Sequence, residues 1–330
     1  MTASRAEPFE IGGESVAPGG RLRLDLPAML LPTHTRLNLP LVVAHGRRPG
    51  PCMWVSAAVH GNELNGVEII REVLARLPDP LPRGTLLAVP IVNVFGFIGQ
   101  SRYLPDRRDM NRCFPGSTKG SLASRMARLF LDEIVSRCSH GIDCHTAGQD
   151  RDNLPQVRAN LDDPATLEVA RAFRAPVMIN ATERDGSLRA AASEQGTVTL
   201  LYEGGEPLRF NREAIDAGVA GVLGVMRHLG MISSGVPRRA GAGPRAATNL
   251  RIEKSSWVRA RRGGLVRLAV GLGERVTADQ VLGHVADPFG EDRTDLRAPF
   301  DGLVIGCQHN PVVHGGDAVV HVGRIDEPAG

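Results

Sequence analysis

MWVSAAVHGNELNGVEIIREVLARL, residues 53–77, decides how the chain is read. MWVSAAV is an apolar run of strand length, HGNE is a turn at its C-terminal end, and LNGVEIIREVLARL carries the periodicity of an amphipathic helix. A buried strand that runs through a short turn into a helix is the unit of a parallel α/β sheet.

The same alternation continues downstream. TLLAVPIVN (85–93) reads as a second buried strand, ASRMARLFLDEIVSRC (123–138) as a helix, and HGIDCH (140–145) as a short strand ending on a histidine. APVMIN (175–180) and GTVTLLYE (196–203) read as further strands, and REAIDAGVAGVLGVMRHL (212–229) as a helix. Upstream, residues 22–44 mix apolar and polar positions with Pro27, Pro32 and Pro40, which suits short antiparallel strands. The expected fold class is therefore α/β, a mixed, largely parallel sheet flanked by helices, with ligands gathered beyond the carboxyl ends of its strands.

The last quarter differs. A stretch rich in Gly, Pro and Ala places a linker at residues 236–250, between a catalytic domain at 1–235 and a small β domain at 251–330. Within the latter, Gly264-Leu265-Val266 through His284-Val285 is echoed by Gly302-Leu303-Val304 through His321-Val322. Two similar all-β halves suggest a small barrel or sandwich.

Composition narrows the function classes. At 330 residues, 42% hydrophobic and 23% charged, the chain has the make-up of a globular protein, and no apolar run approaches a membrane span. The first twenty residues have neither a basic start nor an apolar segment, so a cytoplasmic location is expected. Five scattered cysteines without a C-x-x-C pair argue for reduced thiols rather than a disulfide framework or a thiolate metal site. A net charge of +3 and a single short basic run, Arg259 to Arg262, argue against nucleic-acid binding. Nearly all the cations are arginine, the side chain best suited to gripping carboxylates through paired hydrogen bonds.

The chemically capable residues fall at strand ends. His60 and Glu63 follow one strand, Asn93 another, His145 a third and Glu203 a fourth. A catalytic zinc commonly takes three nitrogen or oxygen ligands and keeps a position for water, and His60, Glu63 and His145 form such a set for one Zn2+ per chain. The His-x-x-Glu spacing alone is also that of many surface pairs; its place after a buried strand, opposite Asp143-Cys144-His145, favours metal. Glu203 ends an apolar strand and can take a proton from water and return it to a leaving amine. Glu206 competes for that role from the turn before Pro207.

Four segments, VHGNELNGVEIIREV, SRYLPDRRDMNRCFPG, DCHTAG and TLLYEGGEP, together resemble the succinylglutamate desuccinylase/aspartoacylase family, relatives of the zinc carboxypeptidases, over about residues 50–230. The resemblance implies that His60, Glu63 and His145 hold zinc and that Glu203 is the catalytic glutamate. It implies that Asn111 and Arg112 bind the substrate carboxylate and that Arg102 polarises the scissile carbonyl, where a guanidinium can stabilise an oxyanion. Met110 stands where the motif usually has leucine. Arg189 is a further candidate for a second carboxylate, with Arg158 and Asn160 behind it, while Arg107 and Arg108 read as an exposed loop. Aspartoacylase-type enzymes also use a tyrosine from the C-terminal domain. This chain has only Tyr103 and Tyr202, both in the first domain, which separates it from aspartoacylase itself.

APFDGLVIGCQHNPVVHGGDAVVHVG (298–323) resembles the biotinyl/lipoyl-type β fold, but no lysine follows Lys254, so a carrier role is not expected. That domain is expected to cover the active site or join subunits in a homo-oligomer, with His309 and His314 at its surface or interface. The function expected is hydrolysis of a small anionic N-acylated amino acid or related amine by zinc-activated water, with no nucleic-acid or membrane partner. The alternatives are a zinc carboxypeptidase acting on peptides and a non-catalytic metal- or ligand-binding protein of the same fold.

Overall fold

The computed structural model describes residues 5–233 and 249–325. A small hairpin, β1 (Phe9–Ile11) and β2 (Glu14–Val16), precedes β3 (Arg21–Leu30) and β4 (Arg36–His45), which lead into β5 (Arg48–Ala57), α1 (Asn65–Arg76) and β6 (Arg83–Val89). There follow α2 (Val94–Ile98), α3 (Leu122–Glu133), β7 (His140–His145), β8 (Arg151–Ala159), α4 (Pro164–Phe173), β9 (Val177–Asn180), α5 (Leu188–Glu194), β10 (Val198–Gly205) and α6 (Arg212–His228). The remaining strands are β11 (Leu250–Ile252), β12 (Ser255–Arg259), β13 (Gly264–Leu268), β14 (Arg275–Val276), β15 (Val281–Ala286), β16 (Arg293–Arg297), β17 (Gly302–Gln308), β18 (Val312–Val313) and β19 (Ala318–Arg324).

The expected α/β sheet is present, with β10, β7, β5 and β6 side by side and parallel at its centre. Parallelism is confined to that centre and to the short β9 and β11; β4 and β8 run antiparallel on either flank. The alternation of β5 explains the two layers of helix. Met53, Val55 and Ala57 face one core with Ile69, Ile70 and Val73 of α1 and with α4 and α6, while Trp54 faces the other with α3 and α5. Trp54 is fully buried edge-on to Phe130, and its register partner is Gly141, where a Cβ would lie 2.1 Å from the indole. Only glycine lets β7 lie beside this ring.

Several sequence expectations need correction. The short strands expected over 22–44 are two ten-residue strands of one long hairpin, with Pro27 at its bulge, Pro32 in its turn and Pro40 within β4 opposite Asp25. The strand expected to run to Val59 ends at Ala57, because Ala58 takes a positive φ of 50° and turns the chain. The linker expected at 236–250 lies outside the described residues apart from Asn249 and Leu250, and Leu250 already opens β11, which pairs with β9. The C-terminal strands are also not set apart from the main sheet. β17 pairs with β8 through Gly306, Cys307 and Gln308, so the sheet continues through β17 into β19 and β12. The four-stranded sheet β16-β15-β13-β18 packs against these strands around Val266, Leu282, Val304 and Val320, giving the expected two-layer all-β unit.

One buried side chain ties the start of α1 to the end of β10. Asn65, fully buried, donates Nδ2 to the Gly204 carbonyl at 3.0 Å and accepts from the Asn211 amide at 2.9 Å. Asn65→Ala is expected to cost about 1–3 kcal/mol, because it strands a buried carbonyl and a buried amide. Urea denaturation of the variant beside wild type measures it.

Candidate metal centre and cavity

The C-terminal ends of β5, β7 and β10 open on the α3/α5 face, and the candidate residues meet there. His60 and Glu63 are positioned by the turn after β5, closed by a bond from the Glu63 amide to the His60 carbonyl at 3.0 Å. Gly61 makes this turn possible, since a Cβ there would sit 1.9 Å from the Gly96 backbone. His145 ends β7, and Glu203 of β10 is its register partner across a parallel pair, so the two share one face of the sheet.

Nδ1 of His60, Nδ1 of His145 and the Glu63 carboxylate converge, each offering a ligand atom, with those atoms within 4.8 Å of one another. Glu63 reaches His60 at 2.8 Å and His145 at 2.7 Å, and the two Nδ1 atoms are 3.1 Å apart. All three residues are buried. The outer ring nitrogens are held as well: Nε2 of His60 lies 3.1 Å from Asp109, and Nε2 of His145 lies 2.7 Å from Asp143. Asp143 in turn accepts from the Ser56 hydroxyl at 2.6 Å. Each carboxylate fixes its imidazole with the proton on Nε2, which leaves the Nδ1 lone pair facing inward, the arrangement that orients metal-ligating histidines.

The electrostatics agree with a cation site. Burial pushes the Glu63 carboxyl up, but His60 and His145 outweigh it and hold it well below the usual carboxylate range. Burial likewise opposes the charged form of His145, yet Asp143 and Glu63 together raise it well above an ordinary imidazole. The carboxylates of Glu63 and Asp143 thus favour positive charge beside them, and two nitrogens with one carboxylate are a donor set that zinc accepts. Gly61→Ala, which forces the turn away from the Gly96 backbone, is expected to weaken zinc binding by about tenfold or more, as does loss of an orienting partner in Asp143→Asn. Competition with a chromophoric chelator reads both affinities.

A cavity of about 1160 Å³ lies over this centre. Arg102 enters it paired to Asp109 at 2.9 Å and to Glu63 at 3.3 Å, next to the candidate ligands. Glu203 also lines it, held by Asn153 Nδ2 at 3.1 Å and by an ion pair of 3.0 Å with Arg158. Arg158, a weaker candidate for substrate, is thus placed to hold Glu203. Asn111 and Arg112 line the cavity; the side-chain Oδ1 of Asn111 accepts from the Leu188 amide, which ties the motif to the start of α5. Arg189 lines it from α5 with Nη2 on the Thr182 carbonyl, while its Nη1 is buried without a hydrogen-bond partner, and burial lowers its pKa. Asn160 also reaches the cavity.

Other candidates have structural places. Asn93 caps α2 through the Gly96 amide and does not line the cavity. Glu206 is not among the residues lining the cavity and meets His309 at 3.1 Å, whereas Glu203 lines the cavity. That contact joins His309 of the C-terminal segment to the end of β10, while His314 is exposed. Arg107 and Arg108 are exposed. Sequence reasoning missed Asn153 and Arg151 of β8 and Trp257 of β12, all of which line the cavity. Their strands read as polar or short, and only the sheet pairing brings them here.

The mixed α/β sheet thus carries, at its strand ends and beneath an arginine-lined cavity, a buried His-Glu-His cluster able to hold a metal ion. Residues 49–229 match the model of the succinylglutamate desuccinylase/aspartoacylase catalytic domain, more than half of the chain, and the chain belongs to that family. A curated relative, N-alpha-acetyl-L-2,4-diaminobutyric acid deacetylase of Halomonas elongata, is 27% identical over 88% of this chain and 87% of its own length. The solved succinylglutamate desuccinylase/aspartoacylase from Rhodobacter sphaeroides is 28% identical with a TM-score of 0.80, over 93% of this chain and 96% of that one. The product-bound ectoine utilization protein of Ruegeria pomeroyi is 25% identical with a TM-score of 0.81, over 96% and 98%. Among the described residues no helix is long and apolar enough to cross a membrane.

Proposed function

We propose that the chain is a zinc-dependent deacylase that hydrolyses the amide bond of a small N-acylated amino acid or related amine bearing a carboxylate. The observation that carries this reading is the juxtaposition of the His60, Glu63 and His145 cluster with Glu203, the register partner of His145, in one arginine-lined cavity. The similarity to a deacetylase of an N-acetylated diamino acid supports it.

His60, Glu63 and His145 would hold the zinc, which when bound would supply Lewis acidity toward the scissile carbonyl and a lowered pKa of water. Glu203 accepts the proton of the attacking water on a carboxylate oxygen and returns it to the leaving nitrogen, so that a carboxylate and a free amine result. Arg158 and Asn153 hold that carboxylate toward the cavity. Arg102, already aligned by Asp109, donates N–H to the oxygen that gains charge during attack, a contribution of a few kcal/mol. Arg112, with Asn111, and Arg189 bind carboxylate on the substrate. Among the described residues neither Arg112 nor Arg189 has an ion-pair partner in the protein, which leaves both guanidinium groups for an anion.

The test is hydrolysis of a panel of N-acetyl, N-succinyl and N-formyl amino acids, with N-alpha-acetyl-L-2,4-diaminobutyrate included, by zinc-loaded protein. Release of free amine from at least one member, and none from a carboxypeptidase dipeptide substrate, is expected. Dipeptide hydrolysis with every N-acyl amino acid untouched would overturn the reading.

A further inference from the structure

The C-terminal strands place one aromatic ring in the catalytic cavity. Trp257 of β12 lines it, stacked at 4.5 Å and 10° on His321, its register partner in β19. Arg151, the first residue of β8, lies with its guanidinium carbon 4.9 Å from the centre of the Trp257 ring and lines the same cavity. Among the described residues Arg151 has no ion-pair partner, and its Nε is buried without a hydrogen-bond partner. In this it resembles Arg112 and Arg189 and differs from Arg102 and Arg158, whose charges are neutralised inside the protein.

A desolvated guanidinium fixed on an indole face has lost side-chain freedom and part of its hydration, and its remaining N–H groups are prepared for an incoming anion. The rest of the stack maintains that state. Burial first, then Arg158 and Arg151, hold the His321 imidazole down to about 3, so at neutral pH the ring is uncharged and stacks on Trp257 without competing as a cation. Gly306 of β17 leaves room beside the stack for Asn153: a Cβ there would lie 2.8 Å from the Asn153 amide oxygen and 3.3 Å from His321, with Trp257 at an ordinary contact of 3.4 Å.

We propose that Arg151, stacked on Trp257 of the C-terminal strands, is an additional carboxylate-binding residue of the catalytic cavity and helps to set which anionic substrates it accepts. The proposal rests on the hydrolytic reading of that cavity. It gives the β unit a direct part in substrate binding through an arginine-indole pair.

The chain has two tryptophans, and the other, Trp54, is fully buried in the core, so Trp257 is the fluorophore that a cavity ligand can reach. Titration with succinate is expected to change the emission of wild type and not that of Trp257→Phe. Arg151→Leu is expected to raise the succinate dissociation constant and the KM for the best N-acyl substrate about tenfold or more, with kcat within about twofold. Arg151→Lys should recover part of the loss, and thermal melting confirms that each variant is folded. Unchanged succinate affinity and KM in Arg151→Leu would overturn the proposal, as would a fall in kcat alone, which marks Arg151 as a support for Glu203. If no substrate is hydrolysed by wild type, the deacylase reading fails, and the succinate titration still decides whether Arg151 binds carboxylate.

Discussion

Glu203→Gln is expected to lower kcat by about 10²- to 10⁴-fold with KM changed little, the loss associated with removing a general acid-base group. Glutamine keeps the length of the side chain and an oxygen that can accept from Asn153, so the hydrogen bond at 3.1 Å survives and the variant should fold. What it lacks is the basic oxygen. The ion pair with Arg158 is lost as well, but Glu203 is only partly buried and such pairs add little to stability. Zinc content should be unchanged, because Glu203 is not among the converging ligand atoms. Steady-state kinetics with metal analysis on the same preparations checks both halves; a variant with wild-type kcat would remove Glu203 from the mechanism.

His145→Ala has the other large effect, and it acts through metal and fold together. The substitution deletes one of three ligands and leaves the carboxylates of Glu63 and Asp143, 2.7 Å from its two nitrogens, without their shared partner. Removing one member of a buried charged pair commonly costs about 3–5 kcal/mol. Zinc affinity is expected to fall by several orders of magnitude, activity to fall below detection, and metal-free protein to melt earlier than metal-free wild type. Calorimetric zinc titration and thermal melting separate the two effects. The contrast with Glu203→Gln is diagnostic: one variant keeps zinc and loses turnover, the other loses both.

Much of the catalytic half was legible in the sequence because its strands are buried on both faces and read as continuous apolar runs. Met53 to Ala57 and the His140 to His145 strand belong to that class, and each leads to a candidate metal ligand at its end. β8 was not legible for the opposite reason. Its cavity face carries Arg151, Asn153 and Arg158, side chains selected for the site rather than for a core, and Pro155 interrupts it. Proline is tolerated there because it sits where the register with β10 shifts, between Gln156 opposite Glu203 and Asn153 opposite Gly205, and no amide is required of it. Once β8 is missed, the pairing that joins β17 to the main sheet is invisible. The C-terminal strands then read as separate, and Trp257 has no reason to be near the cavity.

The site residues divide along the same line. His60, Glu63, His145 and Glu203 were recognisable from residue type at strand ends. The functions of Asp109 and Asp143 as holders of the two imidazoles depend on side chains meeting across 49 positions in one case and on adjacent alternation in the other. Only the former required the fold. In the sequence the resemblance separated Arg102 from Arg112 and left Arg189 and Arg158 as weaker candidates; what it did not give is that Arg102 and Arg158 are paired to carboxylates inside the protein.

The proposed deacylase requires a single zinc held by His60, Glu63 and His145 for amide hydrolysis. Metal-free protein should be titrated with zinc while release of free amine from an N-acyl amino acid is followed. Activity should be absent at the start, rise in proportion to zinc and break at one equivalent per chain. Full activity in metal-free protein, or a proportional rise that continues to two equivalents, would contradict it.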